Sequence, residues 1–289
     1  MHNTRRLGVS DLEVGPISYG CWRFAGTSVS DAHAKIERAL DNGMNLIDTA
    51  DIYGRGGPGF GAAEALLGDV LRTEPTLRDR MIIATKGGIS PDVPYDSSRA
   101  HLIEACDASR RRLGVDVIDL YQIHRPDLLA HPTEVAATLG ELVDRGWVRH
   151  VGVSNYSAAQ LDALLAHCEG PIVTSQPEFS LWHLAPLDDG VLDRCLQHRI
   201  TPLAWSPLGG GRIGHDDLLT TVIDEIAAEH GVTRTAIALA FVLGHPSRPV
   251  AIIGTQQLDR IDEAATASRV VLQKPELYRL IVAAGRNLP

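Results

Sequence analysis

Cysteine is sparse in this 289-residue chain, and lysine sparser still, at four and three residues. Cys21, Cys106, Cys168 and Cys195 lie far apart with no CxxC pair, which argues against a disulfide framework and against a zinc site. Aromatic residues make up only 5%. No apolar run is long: Ala236 to Leu243 is the longest, far short of the about 20 residues a membrane span needs. The stretch Met1 to Arg6 is polar and leads into no apolar segment, so no signal peptide is expected. Positive charge is in deficit. The net charge of −9 argues against a basic nucleic-acid surface and an anionic membrane partner. Twelve histidines are scattered without paired ligand spacing, so no metal site is expected. HExxH, Walker and GxSxG patterns are absent; Gly152-Val153-Ser154-Asn155-Tyr156 lacks the last glycine of the third. These absences leave a globular protein of a reducing, cytoplasmic compartment.

What the chain does have is alternation. Short, mostly apolar runs at 17–22, 45–50, 81–86, 117–124, 148–155, 171–176, 201–206 and 250–255 read as eight strands buried on both faces. Amphipathic stretches lie between them. Ser30 can cap a helix carrying Ala32, Ile36, Ala39 and Leu40 that Gly43 stops. Leu102, Cys106, Ser109 and Leu113 share one face before Gly114, and Pro132 opens a helix carrying Val135, Leu139 and Leu142. Further helices fit 62–72, 157–167, 191–198, 233–243 and 257–267, with an added one near 276–285, and 5–16 fits a small hairpin over one end. With no linker or composition shift, residues 1–289 read as one α/β domain, a (β/α)8 TIM barrel. An open doubly wound sheet fits the alternation equally well, and strand count favours the barrel.

In a barrel, chemistry gathers at the C-terminal strand ends. Those ends carry Asp48 with the following Tyr53, then Lys86, His124, Ser154-Asn155, Gln176, Trp205-Ser206 and Gly254-Thr255. Asp48, Tyr53 and His124 taken singly read as turn residues. Lys86 does not, because it ends an apolar run and a buried ammonium needs a counter-charge, for which Asp48 is placed one strand away. A phenol with a pKa of about 10 is a poor acid at neutral pH, and a neighbouring ammonium is expected to lower it. Tyr53, Lys86, Asp48 and His124 thus make a proton-delivery set suited to carbonyl reduction, with hydride from a cofactor. Two stretches match GxGxxG. The first, 54–59, contains Pro58 and is followed by Lys86 where a ribose-binding carboxylate belongs, so it reads as a flexible loop. The second, 209–214, follows the seventh strand; its glycine amides and Arg212 read equally as a pyrophosphate cradle or a plain turn.

Asp48-Thr49-Ala50-Asp51-Ile52-Tyr53-Gly54, Ile83-Ala84-Thr85-Lys86, Gln122-Ile123-His124-Arg125-Pro126-Asp127, Gly152-Val153-Ser154-Asn155 and Trp205-Ser206-Pro207-Leu208-Gly209 together resemble the aldo-keto reductases. The resemblance covers nearly the whole chain, in the family's order. It is most similar to a bacterial oxidoreductase branch, in part through its ending at Pro289. The resemblance implies a barrel binding extended NADP(H), with Asp48, Tyr53, Lys86 and His124 as the tetrad and Tyr53 as general acid. It also implies that Ser154, Asn155 and Gln176 hold the nicotinamide carboxamide and that Trp205 stacks on the ring. Ser206, Leu208, Gly210 and Arg212 would hold the pyrophosphate. At the adenosine end, Thr255, Arg260 and Glu263 match the family pattern, while Gly254 replaces a lysine and Ala264 an asparagine. NADPH is the expected cofactor through Arg260, with NADH open because one cation is missing.

The expected activity is reduction of an aldehyde or ketone to an alcohol. Trp22, Tyr53 and His124 are the candidate substrate contacts, with Phe24, Trp182 and His183 as further pocket residues. The partner is a small-molecule carbonyl compound, and a monomer is the family expectation. A cofactor-occupied regulatory subunit with little turnover is the alternative. A hydrolase or isomerase using Asp48, Asp51 and His124 leaves Lys86, Gln176 and Trp205 unexplained.

Overall fold

The computed structural model describes residues 4–288; the Met1–Asn3 start of the polar leader and the Pro289 end lie outside them. Two short strands, β1 (Arg5–Arg6) and β2 (Glu13–Val14), pair antiparallel as the expected hairpin. Eight further strands follow: β3 (Ile17–Gly20), β4 (Leu46–Asp48), β5 (Ile82–Gly87), β6 (Ile118–Ile123), β7 (Val148–Ser154), β8 (Ile172–Gln176), β9 (Thr201–Ala204) and β10 (Val250–Ile253). They pair parallel in chain order and close, β10 onto β3, into a barrel. The open sheet is thereby excluded.

The strand period of two builds the site directly on the plug of the barrel. Leu46, Ala84 and Leu120 pack at the closed end with Leu7, Leu12 and Val14 of the hairpin segment, in one apolar cluster. Two residues further along the same three strands stand Asp48, Lys86 and Gln122, all buried. Apolar packing below thus fixes the height and direction of the polar layer above.

Among the described residues ten α-helices surround the strands: α1 (Val29–Asp41), α2 (Ala62–Thr73), α3 (Arg99–Leu113), α4 (Pro132–Asp144), α5 (Ala158–Leu165), α6 (Val191–His198), α7 (Leu218–His230), α8 (Arg234–Leu243), α9 (Leu258–Ala265) and α10 (Lys274–Ala283). α1 starts one turn-fraction earlier than expected. Its cap is Ser28, whose Oγ accepts from the Asp31 N–H at 3.1 Å, and not Ser30. Gly43 follows its end with φ of 77°, as a helix stop should. α7 was not expected. It is opened by an Asp217–Thr220 capping box and buries Leu219, Ile223, Ile226 and Ala227 on one face. The 54–59 loop turns back on itself, the N–H groups of Gly57 and Gly59 both donating to the Gly54 carbonyl. Among the described residues no single helix is long and apolar enough to cross a membrane.

Candidate active site

A cleft of about 820 Å³ opens at the C-terminal ends of the strands. That is ample for a cofactor-sized ligand. It runs from Asp48, Tyr53 and His124 at its inner end to Arg260 and Glu263 on α9. Ser154, Asn155, Gln176, Trp205, Ser206, Leu208, Gly210, Gly254, Thr255 and Trp22 also line it.

Lys86 lies just beneath this surface, fully buried. Its Nζ donates to Asp48 Oδ2 at 2.7 Å and to the Thr49 carbonyl at 2.8 Å, and it stands 3.4 Å from Tyr53 Oη. Burial alone would pull this ammonium down, but Asp48 and then Tyr53 outweigh it and hold its pKa above the ordinary lysine value. The Tyr53 phenol goes the other way from the sequence expectation. Burial pushes it up, and the opposing pull of Lys86 does not compensate. Desolvation of a phenolate in a water-poor pocket exceeds one ammonium that is already shared with a carboxylate.

His124 meets the Tyr53 ring edge-on, centroids 5.8 Å apart. Its pKa is held well below the usual histidine range, by burial first and then by Lys86 and Arg125. It is a neutral imidazole at neutral pH.

A chain of side chains then links the strand ends. Gln176 Nε2 donates to Asp48 Oδ1 at 2.9 Å, and the Gln176 carbonyl accepts from Ser154 Oγ at 2.9 Å. Asn155 Nδ2 donates to the His124 carbonyl at 3.1 Å and to Ser154 Oγ at 2.9 Å, while its Oδ1 accepts from Trp205 Nε1 at 3.1 Å. Asn155 and Ser206 take left-handed backbone, φ 59° and 49°, a conformation held here by the surrounding hydrogen bonds. Gly210 and Gly211 are also left-handed, and a Cβ on either would meet nothing within 4 Å. The Gly211 N–H donates to the Leu208 carbonyl at 3.3 Å, which leaves the Gly210 amide as the donor an anion could use on this turn.

Several sequence candidates lie elsewhere. Arg212 does not line the cleft; its guanidinium donates to the Gly209 and Trp182 carbonyls at 3.1 and 3.3 Å. Phe24 is core, packed edge-on against Tyr19. Trp182 is held against Gly209, where an added Cβ would meet its ring at 2.8 Å, and His183 pairs with Ser180 through backbone bonds. Sequence reasoning did not single out Arg23, Arg125 or Arg234, all of which line the cleft. The first two stand one to three residues past strand ends, where extending the strand-end rule reaches them. Among the described residues no group of three His, Cys, Asp or Glu side chains is placed to hold a metal ion.

A parallel barrel that buries a phenol, an ammonium and a carboxylate beneath a long cofactor-sized cleft is equipped as an oxidoreductase. The comparisons give its family. The aldo/keto reductase family model matches residues 16–281, and the chain belongs to that family. It is 48% identical to a 6-dehydroglucose reductase of Novosphingobium aromaticivorans, over 99% of this chain and 97% of the relative. It is 38% identical to a 6-dehydroglucose reductase of Agrobacterium fabrum, over 96% and 98% of the two chains. Its fold matches a crystal structure of a thermostable aldo-keto reductase in complex with the inhibitor epalrestat. There the TM-score is 0.85 at 26% identity, covering 97% of this chain and 99% of the other. The chain is an NAD(P)H-dependent oxidoreductase of this family, whose members act on small carbonyl compounds.

Proposed function

We propose that the protein uses NADPH to reduce an aldehyde or ketone to the alcohol, with Tyr53 as proton donor. The observation that carries this reading is the Tyr53–Lys86–Asp48 contact set at the inner end of the cleft. When bound, the reduced nicotinamide supplies the hydride. Ser154, Asn155 and Gln176 would hold its carboxamide from the cleft wall; both Asn155 amide hydrogens and the Gln176 Nε2 are spent within the protein, so their carbonyl oxygens are what they offer. Trp205 offers a ring face for stacking, and the Gly210 amide suits a pyrophosphate. Arg260 suits the 2′-phosphate. Arg23 supplies a cation beside Gly254, its Nη1 lying 3.8 Å from where a Cβ at that position would stand.

The substrate carbonyl oxygen sits between Tyr53 and His124 in this reading. Neutral His124 donates a hydrogen bond to it and orients it. As hydride adds to the carbon, the Tyr53 hydroxyl gives its proton to the forming alkoxide. The Lys86 ammonium then faces the phenolate left behind, and Asp48 keeps that ammonium in place. Burial that raises the phenol keeps it protonated until this step. We take the protein to be a monomer.

The test is reduced-nicotinamide absorbance over many turnovers, with NADPH and either 6-dehydroglucose or an activated aromatic aldehyde. The two relatives' names make 6-dehydroglucose the first sugar aldehyde to try. Sustained loss of absorbance supports the reductase. Tight NADPH binding with one slow oxidation and no turnover favours a regulatory subunit instead.

A further inference from the structure

Four guanidinium groups line the cleft: Arg23, Arg125, Arg234 and Arg260. Arg234 is engaged by Asp224 at 2.6 Å and by the Ile213 carbonyl at 3.2 Å. Arg23 lies over the Trp22 ring, 4.8 Å from its centroid, and beside Gly254 after β10. Arg260 belongs to α9, which follows the same strand. These three serve the side of the mouth assigned above to the cofactor phosphates.

Arg125 does not. It lies two residues past the end of β6, and in the closed ring β6 is the fourth strand from β10 in either direction. Arg125 therefore faces the cleft from the side diametrically opposite the adenosine end, one residue beyond His124. Among the described residues no carboxylate or carbonyl accepts a hydrogen bond from its guanidinium. Asp127, the nearest carboxylate in the chain, is taken by the N–H groups of Ser97 and Leu129, both at 2.9 Å. Apart from Glu263 on the cofactor side, Asp48 is the acidic residue lining the cleft, and it is held by Lys86 and Gln176. The charge of Arg125 is felt at His124, whose proton affinity it helps to depress.

We propose that Arg125 is a specificity-determining residue, donating to hydroxyl oxygens on the carbons next to the reacting carbonyl and so selecting sugar-type aldehydes over plain ones. The proposal rests on the reductase reading, which puts that carbonyl at His124. A planar guanidinium presents its donors in a fork that matches two neighbouring oxygens. A site built to donate to a substrate hydroxyl discriminates strongly against the analogue without it. Trp22, 62% exposed at the same mouth, adds a flat apolar face for the C–H side of a sugar.

The test uses the NADPH-loaded protein, with glucose, whose closed ring offers the reduced cofactor no carbonyl, as the probe followed by calorimetry, and compares kcat/KM for D-glyceraldehyde and propanal. Arg125→Met is expected to weaken glucose about tenfold and to lower the glyceraldehyde-to-propanal ratio by about the same factor, through KM. Arg125→Lys, which keeps the charge but loses the fork, should fall between. It also serves if the methionine variant fails to fold. An unchanged ratio with unchanged glucose affinity overturns the proposal. Equal loss for both aldehydes also overturns it, since Arg125 would then act through His124. Arg125-dependent binding of glucuronate much tighter than glucose would replace the hydroxyl class by an anionic one. Glucose binding that depends on Arg125 without any aldehyde turnover would uphold the contact and sink the reductase reading alone.

Discussion

The Lys86 ammonium is shared: 2.7 Å from Asp48 Oδ2 and 3.4 Å from Tyr53 Oη, it serves a carboxylate and a phenol from one buried position. Its pKa is raised above the ordinary 10.5, against the cost of burial. A raised cation stabilises the fold fully below the unfolded value and loses that contribution only as pH rises through the folded one. The contact is therefore constant over the neutral range. Proton delivery then depends on whether Tyr53 itself is intact.

Tyr53→Phe removes the donated proton and keeps the ring that packs beneath the cleft. Turnover is expected to fall by about 10²–10⁴-fold, the usual worth of a positioned acid. The NADPH dissociation constant should change less than about threefold, since the phenol is not among the proposed cofactor holders. Steady-state rates and fluorescence titration check this. Equal loss in both would refute the general-acid role.

His124 sets a pH dependence of stability. Its folded pKa is well below 6.5, so on acidification the unfolded chain takes the proton first and the folded state loses ground. Stability should decline as pH falls from about 7 through 6.5, by at most about 1.4 kcal/mol per pH unit for one proton. His124→Gln should flatten this slope. The check is the difference between wild-type and variant denaturant curves at pH 5, 6 and 7, and parallel curves would refute it.

Much of this site is written in the strand ends. Period-two alternation places Asp48 two residues above Leu46 and Lys86 two above Ala84, so a sequence that spells the plug also spells the polar layer. Loop side chains carry no such constraint. Arg212 stands in a glycine run that suits a phosphate, yet its guanidinium finds the Gly209 and Trp182 carbonyls first. Phe24 follows the cleft residues Trp22 and Arg23, and its ring turns into the core against Tyr19. The direction of the Tyr53 shift was equally hidden, because spacing shows which charges are near and not how much water is lost. α7 has a legible cap in Asp217, but it is a second helix between β9 and β10, for which a plain strand–helix alternation makes no provision.

Cofactor choice tests the adenosine end. Arg260 is the α9 cation lining the cleft, and no side-chain cation stands at Gly254 itself. Arg260→Ala should weaken NADPH by about tenfold or more and NADH by less than about threefold, because only NADPH carries the 2′-phosphate that a guanidinium grips with two bonds. Titrations with both nucleotides decide it. Equal weakening would place Arg260 on the pyrophosphate or the adenine instead.

Behind the tetrad, two buried carboxyl groups lie near one cation, Arg112, which pairs with Glu64 alone. Glu64, fully buried, accepts from Thr85 Oγ1 at 2.5 Å and from Arg112 Nε at 2.7 Å. Asp51 is 1% exposed, and neither of its carboxyl oxygens has a partner. Burial first and then the Glu64 charge push its pKa well above the ordinary 3.8. Below 3.8 both folded and unfolded chains hold the proton, and the residue costs nothing. As pH rises above that, the unfolded chain ionises freely while the folded one resists, so Asp51 subtracts from stability. Asp51→Asn keeps the shape without the charge. It should melt higher than wild type at pH 7, and the gain should shrink toward zero as pH is lowered to about 4. A variant less stable by the same margin at every pH would mean that the carboxyl group makes a contact amide chemistry cannot replace.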